Sequence, residues 1–228
     1  MPFIVLEGLD GAGKSTQIAM LREEAQRRGH VTRYLHFPRF DTPLLGELIA
    51  RFLRGDMGSV EQVDPYLVAL IFACDRADAA PALRSWIEAG DTVILDRYVY
   101  SNVGYQCAKL PPAERPALKR WILELEYGRN ALPRPDLNLF LDVPFEFTRR
   151  KLTENRRGDD RGYLNGSDDI HEASLELQSA VREVYLDAAQ SDGTLHIVDC
   201  SDEHGRMATP EATFARILSI AGRVLDRG

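Results

Sequence analysis

The chain predicts an α/β fold: a doubly wound sheet of five parallel strands flanked by helices. Three observations carry that expectation. Five short segments, near residues 3–7, 31–36, 92–96, 137–142 and 195–199, are strand candidates, and those at 3–7 and 92–96 have the apolar content of buried parallel strands. Helical periodicity fills the intervals, near residues 14–28, 43–54, 65–89, 113–127, 145–155, 172–189 and 210–225. The two kinds of segment alternate, and right-handed crossovers then make the strands parallel. Ligands of such sheets bind beyond the carboxyl ends of the strands, which groups Asp10, the segment after His36, Asp96-Arg97 and the segment after Asp142 around one crevice.

The first strand, Phe3-Ile4-Val5-Leu6-Glu7, runs into Gly8-Leu9-Asp10-Gly11-Ala12-Gly13-Lys14-Ser15, which matches the phosphate-loop pattern of two glycines, a lysine and a hydroxyl residue. Glycines let successive backbone N–H groups point at phosphate oxygens, and the helix that follows from Thr16 adds partial positive charge at its start. Lys14 is placed to reach β- and γ-phosphates and Ser15 to offer its hydroxyl to Mg²⁺. The helix keeps Ile18, Leu21 and Ala25 on one face and stops at Gly29.

After the second strand, Phe37-Pro38-Arg39-Phe40 delays the next helix, because proline biases the residue before it to an extended shape. Asp64 caps a long helix that holds Pro81. Phe72 and Arg76 lie four apart on it, hence on one face. An aromatic plane beside a guanidinium suits a flat heterocycle. Core packing for Phe72 and a surface ion pair for Arg76 account for the same spacing. The third strand ends in Asp96-Arg97-Tyr98, an acid suited to Mg²⁺ and a base suited to phosphate; a structural ion pair is the alternative. Ser101, Asn102 and Tyr105 follow on a short helical turn. Between residues 149 and 161 lie Arg149, Arg150, Lys151, Arg156, Arg157 and Arg161, and the segment loosens into Gly158, Gly162 and Gly166. It reads as a flap over phosphates at about residues 154–168. The last helix opens with Thr209-Pro210, a cap and a first-turn proline.

Composition narrows the class. With 44% hydrophobic and 28% charged residues, the 228-residue chain has globular character and no apolar run of membrane-spanning length. The N-terminus is a strand rather than a signal sequence. Cys74, Cys107 and Cys200 are odd in number and lack metal-ligand spacing, which favours reduced thiols in the cytoplasm. A formal charge of −7 argues against binding nucleic acid. Without repeats or long linkers, residues 1–228 are expected to form a single domain.

Two anion sites and a base-stacking pair suit phosphoryl transfer between nucleotides, and an acceptor phosphate needs no general base because it is already an anion near neutral pH. In this combination the chain resembles the thymidylate kinases. The resemblance rests on Glu7 to Thr16, Phe37-Pro38-Arg39, Leu70 to Arg76, Asp96-Arg97-Tyr98, Leu132 to Asp136 and Val181 to Tyr185, in order over about residues 3–200. It implies a P-loop nucleoside monophosphate kinase that moves the γ-phosphate of ATP to dTMP in dTTP synthesis, with Mg²⁺, as a homodimer. By resemblance, Gly8, Leu9, Asp10, Gly11, Ala12, Gly13, Lys14, Ser15 and Thr16 bind ATP, while Ser15 and Asp96 serve the metal. Asp10 meets the 3′-hydroxyl of dTMP, Phe72 stacks on thymine, Arg76 donates to O4 and Asn102 meets N3. Phe37 lines the pocket, Arg39 and Arg97 hold the acceptor phosphate, and Tyr105 crowds the sugar's 2′ position. Gly11 stands where some relatives carry a catalytic arginine, so Arg156, Arg157 and Arg161 collectively are expected to supply that charge, with Lys14, Arg97 and Asp10. Phe40 departs from the tyrosine of some relatives. The resemblance also implies a cis Phe37–Pro38 bond. A deoxynucleoside kinase using Glu7 as its base, and a nucleotide-dependent switch, are the rival readings; the chain lacks the Asn-Lys-x-Asp guanine signature of the latter.

Overall fold

A computed structural model describes residues 1–60, 62–153 and 175–226, the side chains of residues 151–153 excepted. Five strands, β1 (Phe3–Gly8), β2 (Thr32–His36), β3 (Thr92–Asp96), β4 (Leu137–Asp142) and β5 (Leu195–Asp199), form one sheet in the order β2-β3-β1-β4-β5. Every neighbouring pair is parallel. Eight helices surround it among the described residues: α1 (Lys14–Arg27), α2 (Leu45–Leu53), α3 (Pro65–Glu88), α4 (Val99–Cys107), α5 (Arg115–Leu123), α6 (Phe145–Thr153), α7 (Leu175–Ser191) and α8 (Pro210–Leu225).

The alternating side chains of β1 show why the central strands read as unbroken apolar runs, unlike the edge strands β2 and β5, which expose Arg33, Tyr34, His196 and Asp199. Phe3 and Val5 enter a core with Leu83 of α3, Val103 of α4, Ile122 of α5 and Val181 of α7. Ile4 and Leu6 enter a second core on the opposite face, with Leu21 of α1 and Ile217 of α8. Both faces are covered, so no polar alternation is needed. The helix signals resolve as expected at two starts: the Asp64 carboxylate accepts from the Tyr66 N–H at 2.8 Å, and the Thr209 hydroxyl accepts from the Ala212 N–H at 3.2 Å.

Two segments differ from the sequence expectation. The helix expected over residues 113–127 is α5 followed by a π-helical turn, Glu124–Arg129. The short turn expected after Tyr98 is the nine-residue α4, buried at eight of its positions. No side chain of α4's own cap holds its start. Glu7 does so from β1, its Oε1 accepting from the Tyr98 N–H at 2.9 Å and the Ser101 N–H at 3.2 Å. Its Oε2 accepts from Ser101 Oγ at 2.6 Å and the Tyr185 hydroxyl at 2.8 Å. One carboxylate thus fastens β1, α4 and α7 together.

Candidate active site

The loop after β1 turns through Gly11 at φ 74° and Gly13 at φ 82°, left-handed conformations that cost glycine little. It delivers Lys14 to the first position of α1, with Ser15 and Thr16 exposed beside it. Lys14 is buried, and among the described residues its Nζ donates only to main-chain oxygens of the loop, Leu9 at 3.1 Å and Gly8 at 3.4 Å. Burial and the nearby Arg97 charge lower its ammonium to about 8, against the pull of Asp96 and Asp10.

Arg97, just past β3, adopts φ 66°, an uncommon conformation for a residue with a side chain, while its N–H donates to Leu6 O at 2.9 Å. The turn folds its guanidinium back onto the phosphate-type loop. Nη2 donates to Asp10 Oδ1 at 2.7 Å, Nη1 donates to Ser101 Oγ at 3.1 Å, and Cζ stands 5.2 Å from the Tyr105 ring centre. Tyr105 in turn donates its hydroxyl to Asp10 Oδ2 at 2.6 Å. Burial works against the Arg97 charge, but Tyr105 and Asp10 more than offset it and hold the guanidinium firmly protonated.

Asp96 is 5% exposed, and His36 Nδ1 lies 3.4 Å from its Oδ2. Burial would raise this carboxyl, yet His36 and Lys14 outweigh burial and keep it below the ordinary carboxylate range. Its Oδ1 has no hydrogen-bond partner among the described residues. A buried, ionised carboxylate with an open acceptor, held beside the charge of Lys14, and the exposed Ser15 hydroxyl next to Lys14 in sequence are oxygen donors of the hard kind that suits Mg²⁺.

A second group of the expected residues is built on α3 and α4. Phe72 is half-buried, its ring 6.4 Å from that of Phe52 in an edge-on arrangement. Arg76 is 1% exposed, so the surface ion pair considered from sequence is a buried one. Its Nε donates to Glu126 Oε2 at 2.5 Å and its Nη2 to Glu126 Oε1 at 2.7 Å. Asn102 joins the group through Nδ2, which donates to Glu126 Oε1 at 2.8 Å and Ala69 O at 3.0 Å, leaving Oδ1 without a partner. Sequence reasoning missed Glu126. Its spacing carried a signal: Glu126 stands four residues after Ile122 and eight after Leu118, the two buried residues of α5, so a carboxylate falls on the helix's apolar face.

The loop after β2 closes the side. Phe37 is buried with its ring 5.8 Å from Tyr98, and the Phe37–Pro38 bond is cis. Arg39 is held to α3: its Nε donates to Asp75 Oδ1 at 2.8 Å and its Nη2 to Asp78 Oδ2 at 2.7 Å. Gly46 of α2 supports this loop closely, since a Cβ there would stand 2.5 Å from Phe40 O and 2.8 Å from Arg39 O. Gly46→Ala is therefore expected to cost about 1–3 kcal/mol, read as a lower denaturant midpoint at unchanged slope; an unaltered midpoint would contradict this packing.

The expected residues thus fall into two linked groups. Lys14, Asp10, Asp96, Arg97 and Tyr105 gather at the first loop, and Phe72, Arg76 and Asn102 at the far end. Helix α4 joins them, since Asn102 and Tyr105 are three apart and so adjacent on its surface. Arg156, Arg157 and Arg161, with the flap at 154–168, lie outside the described residues.

A family model described as thymidylate kinase matches residues 6–208. The thymidylate kinase of Mycobacterium tuberculosis (strain H37Rv) is 33% identical over 207 residues, covering 90% of this chain and 94% of that one. A probable thymidylate kinase of Thermococcus kodakarensis is 35% identical over 206 residues, covering 88% and 90%. The solved structure of thymidylate kinase from Candida albicans superposes with a TM-score of 0.73 at 24% identity, over 97% of this chain and 91% of that one.

Proposed function

Because the chain belongs to the thymidylate kinase family, we propose that its cleft transfers the γ-phosphoryl group of ATP to dTMP, giving dTDP and ADP. One observation carries the reading: a single buried helix, α4, ties the Lys14 loop through Tyr105 to the Arg76–Glu126 pair through Asn102. That is the arrangement two nucleotides need to meet through their phosphates.

The loop N–H groups and Lys14 cradle the ATP phosphates. Thymine stacks on Phe72. Its O4 accepts from Arg76 Nη1, which has no partner among the described residues, and its N3–H donates to Asn102 Oδ1. Arg97 holds the acceptor phosphate while Asp10 and Tyr105 hold Arg97 and border the sugar. Arg39 serves the same phosphate from its tether on Asp75. The attacking phosphate oxygen is already anionic, so catalysis reduces to alignment and charge neutralisation. Arg156, Arg157 and Arg161 supply part of that neutralisation from the flap. Ser15 and Asp96 would hold Mg²⁺, which when bound would neutralise negative charge developing on the transferring phosphoryl group.

Glu7 weighs against the deoxynucleoside-kinase reading. It is fully buried with both oxygens occupied, and burial raises its pKa despite those hydrogen bonds. The exposed apolar stripe Leu67, Leu70 on α3, continued by half-buried Ile71 and Cys74, supports a homodimer packed along α3. No described helix is long and apolar enough to cross a membrane; three free cysteines fit a reducing cytoplasm.

Measuring ADP formation with dTMP, dUMP, dCMP and thymidine as acceptors tests the assignment. The rate with dTMP is expected to exceed all others; preferred turnover of thymidine, or ADP release without any acceptor, would overturn it. The lowered Lys14 pKa adds a pH expectation. Only the ammonium form attracts phosphate, so kcat/KM for ATP should fall as pH rises through about 8. Bound phosphates favour the ammonium form, so kcat should hold to higher pH. Parallel declines of both parameters would remove Lys14 as the titrating group.

A further inference from the structure

We propose that Glu126, on the π-helical turn after α5, is the positioning residue that makes the base pocket select thymine over cytosine; this rests on the dTMP-kinase reading above. An asparagine amide is nearly symmetric in shape but opposite in polarity at its two ends. Rotated one way, Asn102 offers the base an acceptor; rotated the other, a donor. Nδ2 of Asn102 lies between Glu126 Oε1 at 2.8 Å and Ala69 O at 3.0 Å, and both of those atoms can only accept. The amide is thereby locked with Oδ1 free, although Asn102 is 2% exposed.

The same carboxylate fixes the neighbouring donor. Glu126 binds Arg76 at Nε and Nη2, so the guanidinium plane is set and Nη1 alone remains for a ligand. A free acceptor beside a free donor matches the N3–H and O4 of thymine. Cytosine carries the reverse pattern, a bare N3 acceptor and a 4-amino donor, and would leave two buried pairs mismatched. Glu126 touches no base itself. It imposes polarity on the two residues that do, from a fully buried position where an unpaired carboxylate would be costly.

Glu126→Gln keeps the size of the side chain and turns one acceptor into a donor, which releases Asn102 to rotate. Titration calorimetry of the full chain with dTMP and with dCMP gives the ratio of the two dissociation constants. That ratio is expected to fall about tenfold or more in the variant, while the KM for ATP stays within twofold. Glu126→Asp retains a buried negative charge for Arg76 but draws the shared oxygen back from Asn102 and Arg76 Nη2 alike, so it too frees the Asn102 amide if the glutamine variant folds poorly. A ratio unchanged in both variants, with affinity for dTMP and dCMP weakened by one common factor, would overturn the proposal and leave Glu126 a structural anchor. A wild-type chain that does not prefer dTMP to dCMP would instead overturn the functional reading, and this proposal with it.

Discussion

Replacing Lys14 by alanine should lower kcat by about 10²–10³-fold, the usual cost of removing one donor from a developing anion. The fold should hardly notice. Among the described residues Nζ donates to the Leu9 and Gly8 carbonyl oxygens, and Asp96, which its charge helps to keep ionised, retains His36 beside it. Removing Lys14 also ends the burial of a charge whose pKa is depressed to about 8. The thermal midpoint is therefore expected within a few degrees of the parent, with kcat and kcat/KM falling together, the mark of an interaction strongest in the transition state. Turnover retained within threefold, in a folded variant, would contradict the role of the loop.

Arg76→Ala should behave differently because it strands a partner. Glu126 is fully buried and faces Arg76 through two charge-assisted hydrogen bonds of 2.5 and 2.7 Å. Leaving such a carboxylate unpaired costs about 3–5 kcal/mol, which for a chain of this size lowers the melting midpoint by roughly 10 °C. Losing a charged donor to thymine costs about 1.5–3 kcal/mol more at the ligand, so KM for dTMP should rise at least tenfold. KM for ATP, bound by another element, should change little. Equal rises in the two constants would remove Arg76 from the base pocket; an unchanged melting midpoint would remove the weight placed on its pairing with Glu126.

Much of this architecture was legible before any coordinates. Strands β3, β4 and β5 have the limits their apolar runs suggest; β3 and β4 are covered on both faces and end where burial ends, while edge strand β5 exposes His196 and Asp199. The phosphate-type loop was legible because its glycines are required by backbone angles. Helix α4 was harder. With eight of its nine residues buried it has no polar face, so its periodicity is lost, and Gly104 is there because a Cβ would stand 2.7 Å from the Tyr185 ring. The pairings were not legible at all. Glu126 meets Arg76 across 50 residues, Glu7 meets Tyr185 across 178, and Arg39 finds Asp75 across 36. Local sequence names the residue types able to pair, while the partners are chosen by the packing of distant elements. That is why Glu126 escaped notice although Arg76 and Asn102 did not.

The central claim is that the Lys14 loop and the Arg76–Asn102 group open onto one cleft of two-nucleotide length. A crystal structure with dTMP and a non-hydrolysable ATP analogue tests it most directly. Triphosphate is expected on the loop N–H groups and Lys14, the dTMP phosphate on Arg97, and thymine against Phe72 with O4 on Arg76 and N3 on Asn102. Thymine seated away from α3 and α4, or the two phosphate groups bound on separate surfaces, would contradict it.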